Sequence, residues 1–157
     1  MGDNDFVSEI KKAAALAQKS GRGLLVVGPA SSGKAAALRA VITYRYIIEG
    51  FWTLDKTDVV GRVQIGPFGS KFWAEGPLTS AMRNGERLLV IEFDLLHPAL
   101  RRLMLEAMKT GQLKTPDGPI LAVAGFTIDA TVMKATPTMR RAFAMVVGLT
   151  HVVWKTP

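Results

Sequence analysis

The segment Gly28-Pro29-Ala30-Ser31-Ser32-Gly33-Lys34 constrains this chain more than any other, because of what stands on either side of it. Before it, Leu24-Leu25-Val26-Val27 is a short run without a polar face, the pattern of a strand buried on both sides in a parallel sheet. After it, an alanine-rich stretch from Lys34 to about Ile48 favours helix. A glycine-rich turn in that setting lets backbone N–H groups curl around phosphate oxygens, while the helix contributes its positive end and the lysine a point charge. The spacing GxxxxGK between strand and helix makes chance a poor explanation. Gly28, Pro29, Ala30, Ser31, Ser32, Gly33, Lys34 and Ala35 are therefore the candidate set for holding ATP or ADP, with Lys34 directed at the β and γ phosphates. The motif expects Ser or Thr after the lysine, whose hydroxyl ligates Mg²⁺; Ala35 stands there, so Mg²⁺ is a cofactor with one ligand missing.

The rest of the chain alternates helix and strand signals. Phe6, Ile10, Ala13, Ala14 and Ala17 recur at helical spacing, predicting a helix near residues 5 to 19 that Ser20-Gly21-Arg22-Gly23 ends. Phe51 to Leu54 reads as a second strand, Val63 to Lys71 as a loop or hairpin, and Gly76 to Asn84 as a short helix. Arg87 to Glu92 reads as a strand, Pro98 to Thr110 as a helix, Ile120 to Gly125 as a strand, and Met145 to Val153 as a last strand after a short helix carrying Arg140 and Arg141. No repeat or linker divides the chain, so it is expected to be one domain over 1–157, with an N-terminal helix in 1–20 and an αβα core in 21–157.

Composition narrows the functions. With 48% hydrophobic residues, 157 residues can bury a full core, and zero cysteines exclude disulfides and thiolate chemistry. The acidic start at Asp3, Asn4 and Asp5 is unlike an export signal, and the apolar runs are strand-sized, so a cytoplasmic protein without membrane insertion is expected. The formal charge of +7 attracts polyanions without choosing among them; nucleic acid is a less favoured partner, because no basic run is interleaved with aromatics. His97 and His151 lie far apart with no acidic spacing motif, so they form no metal site, and Trp52, Trp73 and Trp154 read as core or interface residues.

Thr57 to Arg62, Lys71 to Glu86, Leu88-Leu89-Val90-Ile91-Glu92-Phe93-Asp94 and Leu103 to Leu113 together resemble the MoxR and dynein-related (midasin-like) branch of AAA+ ATPases over roughly residues 21 to 150. The resemblance implies a three-layer αβα P-loop NTPase core whose parallel five-stranded sheet has the order 5-1-4-3-2. It also implies ATP held between neighbouring subunits and assembly into homo- or hetero-oligomeric rings. The family's helical lid has no counterpart before Pro157, which is consistent with a lidless member or a fragment. Carried over residue by residue, the Asp-Glu pair that closes the family's Walker B strand falls on Glu92 and Phe93. Glu92 is then the candidate for orienting Mg²⁺ through water, and Asp94 the nearby carboxylate that could deputise for the catalytic acid. On a straight strand Phe93 and Asp94 point to opposite faces, which a local bulge would alter. The family's sensor asparagine falls on Thr127, and the place of its arginine finger on Ala142, next to Arg141. The hairpin that touches substrate in this branch's ring pore would lie between Val63 and Trp73, bringing in Lys71 and Phe72.

Ala35, Glu92, Phe93, Thr127 and Ala142 depart from the pattern in five catalytic roles of one site, which points to weak or absent hydrolysis. The leading expectation is an ATP-binding ring or complex subunit. The alternatives are an active MoxR-like motor using Glu92 or Asp94 with Thr127 and Arg141, and a basic nucleic-acid adaptor on a P-loop scaffold.

Overall fold

In the computed structural model, residues 5–148 are described in full, and residues 3–4 and 152–154 by their backbone. Helix α1 (Asp3–Ser20) buries Phe6, Ile10, Ala13, Ala14 and Ala17 completely along one stripe and ends at Gly21, whose φ of 72° is the left-handed stop a glycine supplies at low cost. Strand β1 (Leu24–Val27) leads through the glycine-rich turn into α2 (Lys34–Val41), followed by β2 (Tyr46–Glu49) and the four-residue α3 (Lys56–Val59). The hairpin β3 (Gly61–Ile65) and β4 (Lys71–Glu75) comes next, then α4 (Pro77–Asn84) and β5 (Arg87–Ile91). Helix α5 (Pro98–Thr110) precedes a second hairpin, β6 (Gln112–Thr115) and β7 (Gly118–Leu121). The chain closes with β8 (Thr127–Val132), α6 (Pro137–Ala142), β9 (Met145–Gly148) and β10 (Val152–Trp154).

The main sheet has six strands in the order β10-β9-β1-β8-β5-β2. It differs from the expected five-stranded sheet of order 5-1-4-3-2 by β10, an antiparallel strand added on the edge beside β9. The other five pair in parallel, and counted among themselves in chain order they lie fifth, first, fourth, third, second. Side chains alternate across the sheet. Leu24, Val26, Leu89, Met145 and Val147 pack under α1 and α2, while Leu25, Leu88, Val90, Ile128, Ala130 and Val146 pack under α4, α5 and α6. The result is a three-layer sandwich with β1 in the middle, so the turn after β1 sits over the carboxyl ends of the central strands.

Several boundaries differ from the sequence reading. The second helix stops at Val41, because Ile42 is already extended (φ −110°, ψ 128°). The second strand is then Tyr46–Glu49, paired with Leu88–Ile91, and Phe51 to Leu54 is an irregular segment in which Trp52 is 62% exposed. The fourth parallel strand is Thr127–Val132; Gly118–Leu121 instead closes the β6–β7 hairpin. The last expected strand is broken into β9 and β10, which fold back on one another. The Val63 to Lys71 stretch is part of the β3–β4 hairpin, with Phe68 fully exposed at its tip. His97 is exposed and caps α5, its Nδ1 accepting from Ala99 N–H; His151 and the side chain of Trp154 lie outside the described residues.

One buried polar cluster clamps the sheet at the end away from the turn. Asp129, fully buried in β8, accepts from Leu24 N–H (2.9 Å) and Arg87 Nη1 (2.8 Å) on one oxygen and from the Tyr44 hydroxyl (2.6 Å) on the other. Arg87 also donates to the carbonyls of Ala17 and Arg22, tying the end of α1 to the sheet. Burial pushes the Asp129 carboxyl up, opposed first by the Arg87 charge and then by the Tyr44 and Leu24 hydrogen bonds. Burial, followed by the Asp129 charge, pushes the Tyr44 hydroxyl up as well.

Candidate functional site

The turn between β1 and α2 is anchored at its start, where Gly28 N–H donates to the Val132 carbonyl (3.0 Å) at the end of β8. Gly28 also lies against α1: a Cβ there would come 2.8 Å from the Phe6 ring, so the first helix supports the turn from beneath. Ser31 (φ 60°) and Gly33 (φ 82°) both take left-handed conformations, which curl the chain tightly into α2. Ser32 Oγ donates to the Pro29 carbonyl (2.6 Å). Helix α2 starts at Gly33 with no side chain capping it, so its first N–H groups are left for a ligand, as an anion site requires.

Lys34 is the first residue of that helix and is 4% exposed. Its ammonium donates to the carbonyls of Gly28 (2.9 Å) and Pro29 (2.6 Å) and stands 3.4 Å from Glu92 Oε1. An ammonium has three protons, and these three oxygens account for them. Glu92 reaches the lysine because β5 stops at Ile91 and Glu92 itself adopts a left-handed conformation (φ 55°, ψ 55°), held by Thr131 Oγ1, which accepts from Glu92 N–H (3.0 Å). Of the sequence-derived catalytic candidates, Glu92 is the one the fold brings into contact with Lys34.

The other candidates are placed elsewhere. Phe93 is fully buried in the core, edge-on to Phe143 with ring centroids 6.3 Å apart, so it does not occupy a catalytic position over the turn. The kink at Glu92 followed by a 3-10 turn over Phe93–Leu95 takes the place of the straight strand, and Asp94 Oδ2 accepts from the N–H groups of Met133 (3.1 Å) and Lys134 (3.3 Å) after β8. Thr127 opens β8 at the opposite end from Lys34. It pairs with Arg87 and lies beside Gly23, five residues and about 17 Å of strand before Val132, which touches the turn. The sensor assignment to Thr127 is thus corrected: the residues that reach the turn's end of β8 are Thr131, Val132 and Met133. Arg141 is exposed on α6, across the sheet from α2, beside Arg102 and Lys109 along a groove of about 560 Å³.

Thr131 and the Asp129 cluster escaped sequence reasoning. The signal available was a set of polar residues at every second position of Thr127-Ile128-Asp129-Ala130-Thr131-Val132, the period of a strand whose polar face must find partners inside.

The donors present do not fit a divalent cation on the turn. Ala35 offers a methyl where a hydroxyl ligand would stand. Glu92 is paired through Oε1 with Lys34, and Asp94 through Oδ2 with two backbone amides. Their remaining oxygens, Glu92 Oε2 and Asp94 Oδ1, are closed to solvent without partners. Mg²⁺ dehydrates reluctantly and keeps several waters, so oxygens sealed from water are poor ligands for it. Among the described residues no three His, Asp or Glu side chains converge as a metal cluster.

No family model matches the sequence, and no curated protein matches it. Solved structures do match the fold, 477 chains of them, so the architecture is a widely used one and does not by itself select an activity. One is the crystal structure of a protein from Cytophaga hutchinsonii described as a "putative ATPase", superposing with a TM-score of 0.67 at 18% sequence identity. The match covers 96% of this chain and 50% of that one, so this chain spans about half the length of that protein. The shared feature is the fold: an α/β core with parallel strands flanked by helices.

Proposed function

We propose that this chain is an AAA+-like nucleotide-binding domain that holds ATP through residues 28–35 and hydrolyses it slowly or not at all, acting as a subunit of a larger homo- or hetero-oligomeric assembly. The observation that carries the reading is Lys34, an almost fully buried ammonium enclosed by the turn that leads from a central parallel strand into a helix N-terminus. An ammonium in that position suits a polyphosphate, because its partners are two neutral carbonyls and the single carboxylate of Glu92 at 3.4 Å, and a multiply charged anion at the helix N-terminus offsets more of the desolvation cost of its burial.

Weak hydrolysis follows from what surrounds the lysine. Activating water requires a carboxylate free to accept a proton within hydrogen-bond reach of the reacting phosphate. Glu92 is paired with Lys34, Phe93 is in the core, Asp94 is engaged by two amides, and Thr127 is at the other end of its strand. A second reading, the active MoxR-like motor, draws on the kink at Glu92, which carries Asp94 to the same strand ends as the turn; it requires Asp94 to leave Met133 and Lys134 and Arg141 to act on a neighbouring subunit.

Calorimetric titration with ATP, with phosphate release followed in the same samples, separates the two. The proposal expects ATP binding that Lys34→Ala weakens at least about 30-fold, roughly the 2 kcal/mol of a charge-assisted contact, with no release above the buffer rate. Release that Lys34→Ala and Asp94→Asn both abolish would overturn the proposal and support the active ATPase of the second reading. Absence of binding would leave the turn a scaffold.

A further inference from the structure

Building on the proposed nucleotide site, we infer that it takes its polyphosphate as the metal-free anion, and that Glu92 acts there as a competitor for Lys34. The two parts share one cause. In a site built around Mg²⁺, the cation stands between the carboxylate at the end of the strand and the phosphate, and turns their repulsion into attraction. Here nothing is placed to do so: position 35 is alanine, and the oxygens left over on Glu92 and Asp94 are sealed from the hydrated ion.

Without an intervening cation, Glu92 and the incoming phosphate are two anions facing one ammonium. Glu92 Oε1 is 3.4 Å from Lys34 Nζ, with the lysine side chain 3% and the glutamate side chain 24% exposed, so the pair is poorly screened and the phosphate must displace it. The two carbonyls on the ammonium, those of Gly28 and Pro29, carry only partial charge and yield more readily. The backbone of Glu92 is fixed by Thr131 Oγ1 and by Leu95 N–H, which donates to its carbonyl, so its Cβ stays beside Lys34 while the side chain turns about its own torsions. With its attachment point held there, the carboxylate stays within reach of Lys34 and competes with the ligand for it.

The consequence has a sign opposite to that of a metal-dependent site. Removing the charge with Glu92→Gln, which keeps the size and one acceptor oxygen, tightens ATP binding by about fivefold, the scale of one partly exposed ion pair. Adding Mg²⁺, which withdraws charge from ATP, leaves the affinity of the unaltered chain unchanged within about twofold or lowers it.

The test is calorimetric titration of the full chain with ATP in EDTA and in saturating Mg²⁺, for the unaltered protein, Glu92→Gln and Lys34→Ala, each checked for folding by circular dichroism. Equal or better binding in EDTA together with a tighter Glu92→Gln supports the inference. Binding that Mg²⁺ tightens more than about twofold overturns it, and so does a Glu92→Gln affinity that is unchanged or weaker. The EDTA and Mg²⁺ comparison on the unaltered chain needs no variant, so a misfolded Glu92→Gln would not shelter the idea. If neither the unaltered protein nor Glu92→Gln binds ATP in any condition, the nucleotide-binding reading itself has failed.

Discussion

Phe93→Glu, which places at position 93 the catalytic acid expected from the resemblance to AAA+ ATPases, should unfold this protein and leave it without ATPase activity. By that resemblance the substitution would be a repair, since glutamate is the residue expected there to polarise the attacking water. In the fold Phe93 has no exposed surface and meets Phe143 edge-on at 6.3 Å, packed among the core residues beneath α5 and α6. Losing a buried phenylalanine costs about 3–5 kcal/mol for the contacts and the void. An aromatic edge-to-face pair adds about 0.5–1.5 kcal/mol, and a carboxyl placed there without a partner costs at least a further ~1–3 kcal/mol even when it takes up a proton. The sum of about 5–9 kcal/mol is comparable with the whole stability of a typical domain, about 5–15 kcal/mol. Urea unfolding followed by circular dichroism, with phosphate release on the same preparations, reads both quantities. A variant that keeps the original midpoint and gains hydrolysis would place position 93 at the nucleotide and refute the account of the kink at Glu92. Phe93→Leu, which retains most of the apolar volume, should remain folded and equally silent in hydrolysis.

Two further perturbations probe the opposite end of the sheet. Arg87→Met leaves Asp129 buried without its cation and should cost about 3–5 kcal/mol in urea unfolding. Because burial raises the Asp129 carboxyl, the native state holds that proton to higher pH than the unfolded chain does. Its contribution is therefore complete below the ordinary carboxylate value and falls as pH rises through the folded one. Removing Arg87, the largest influence opposing that rise, widens the window, so the Arg87→Met deficit should be larger at about pH 7.5 than at about pH 4.5; a deficit independent of pH would argue that Asp129 is not the group left stranded. Thr127→Val should change ATP affinity less than about twofold, since the residue sits about 17 Å of strand from the turn. A tenfold loss in calorimetry would return Thr127 to the site.

The turn and its flanks are legible in the sequence because each of their signals is local: a four-residue apolar run, glycines at fixed offsets, and a lysine at the helix start. The stripe of Phe6, Ile10, Ala13, Ala14 and Ala17 is legible for the same reason, and all five are fully buried. The fourth parallel strand is not. Asp129 and its neighbouring threonines interrupt the apolar pattern, and what makes them tolerable inside is supplied from far along the chain, by Arg87, Tyr44 and Leu24 at separations of 42, 85 and 105 residues. Ile120 to Gly125, more apolar and closer to Gly111, attracts the strand assignment instead, although its first part only closes a hairpin. The second helix runs on in the sequence reading because helix propensity fades gradually after Val41, whereas the pairing of Tyr46–Glu49 with Leu88–Ile91 that ends it is a tertiary fact.

The turn after β5 shows most clearly where local rules fail and why that failure bears on function. Glu92 holds a left-handed conformation that costs a residue with a Cβ about 1–2 kcal/mol and that glycine adopts freely. Around it the backbone is over-determined: Thr131 Oγ1 accepts from its N–H, Leu95 N–H donates to its carbonyl, and Gly50 N–H donates to the carbonyl of Ile91. Gly50 approaches so closely that a Cβ there would lie 2.2 Å from the Glu92 carbonyl oxygen, so the neighbouring segment has given up a side chain to accommodate the kink. Glycine at position 92 would relieve the strain and keep every one of those backbone bonds. What it would lack is the carboxylate, and that carboxylate is engaged with Lys34. Strain retained at a residue whose carboxylate meets Lys34 is consistent with a backbone shaped for that contact. The kink that buries Phe93 and turns Asp94 onto β8 is therefore the same feature that sets an anion beside Lys34, so under the proposed function a single backbone turn would govern both hydrolysis and nucleotide affinity.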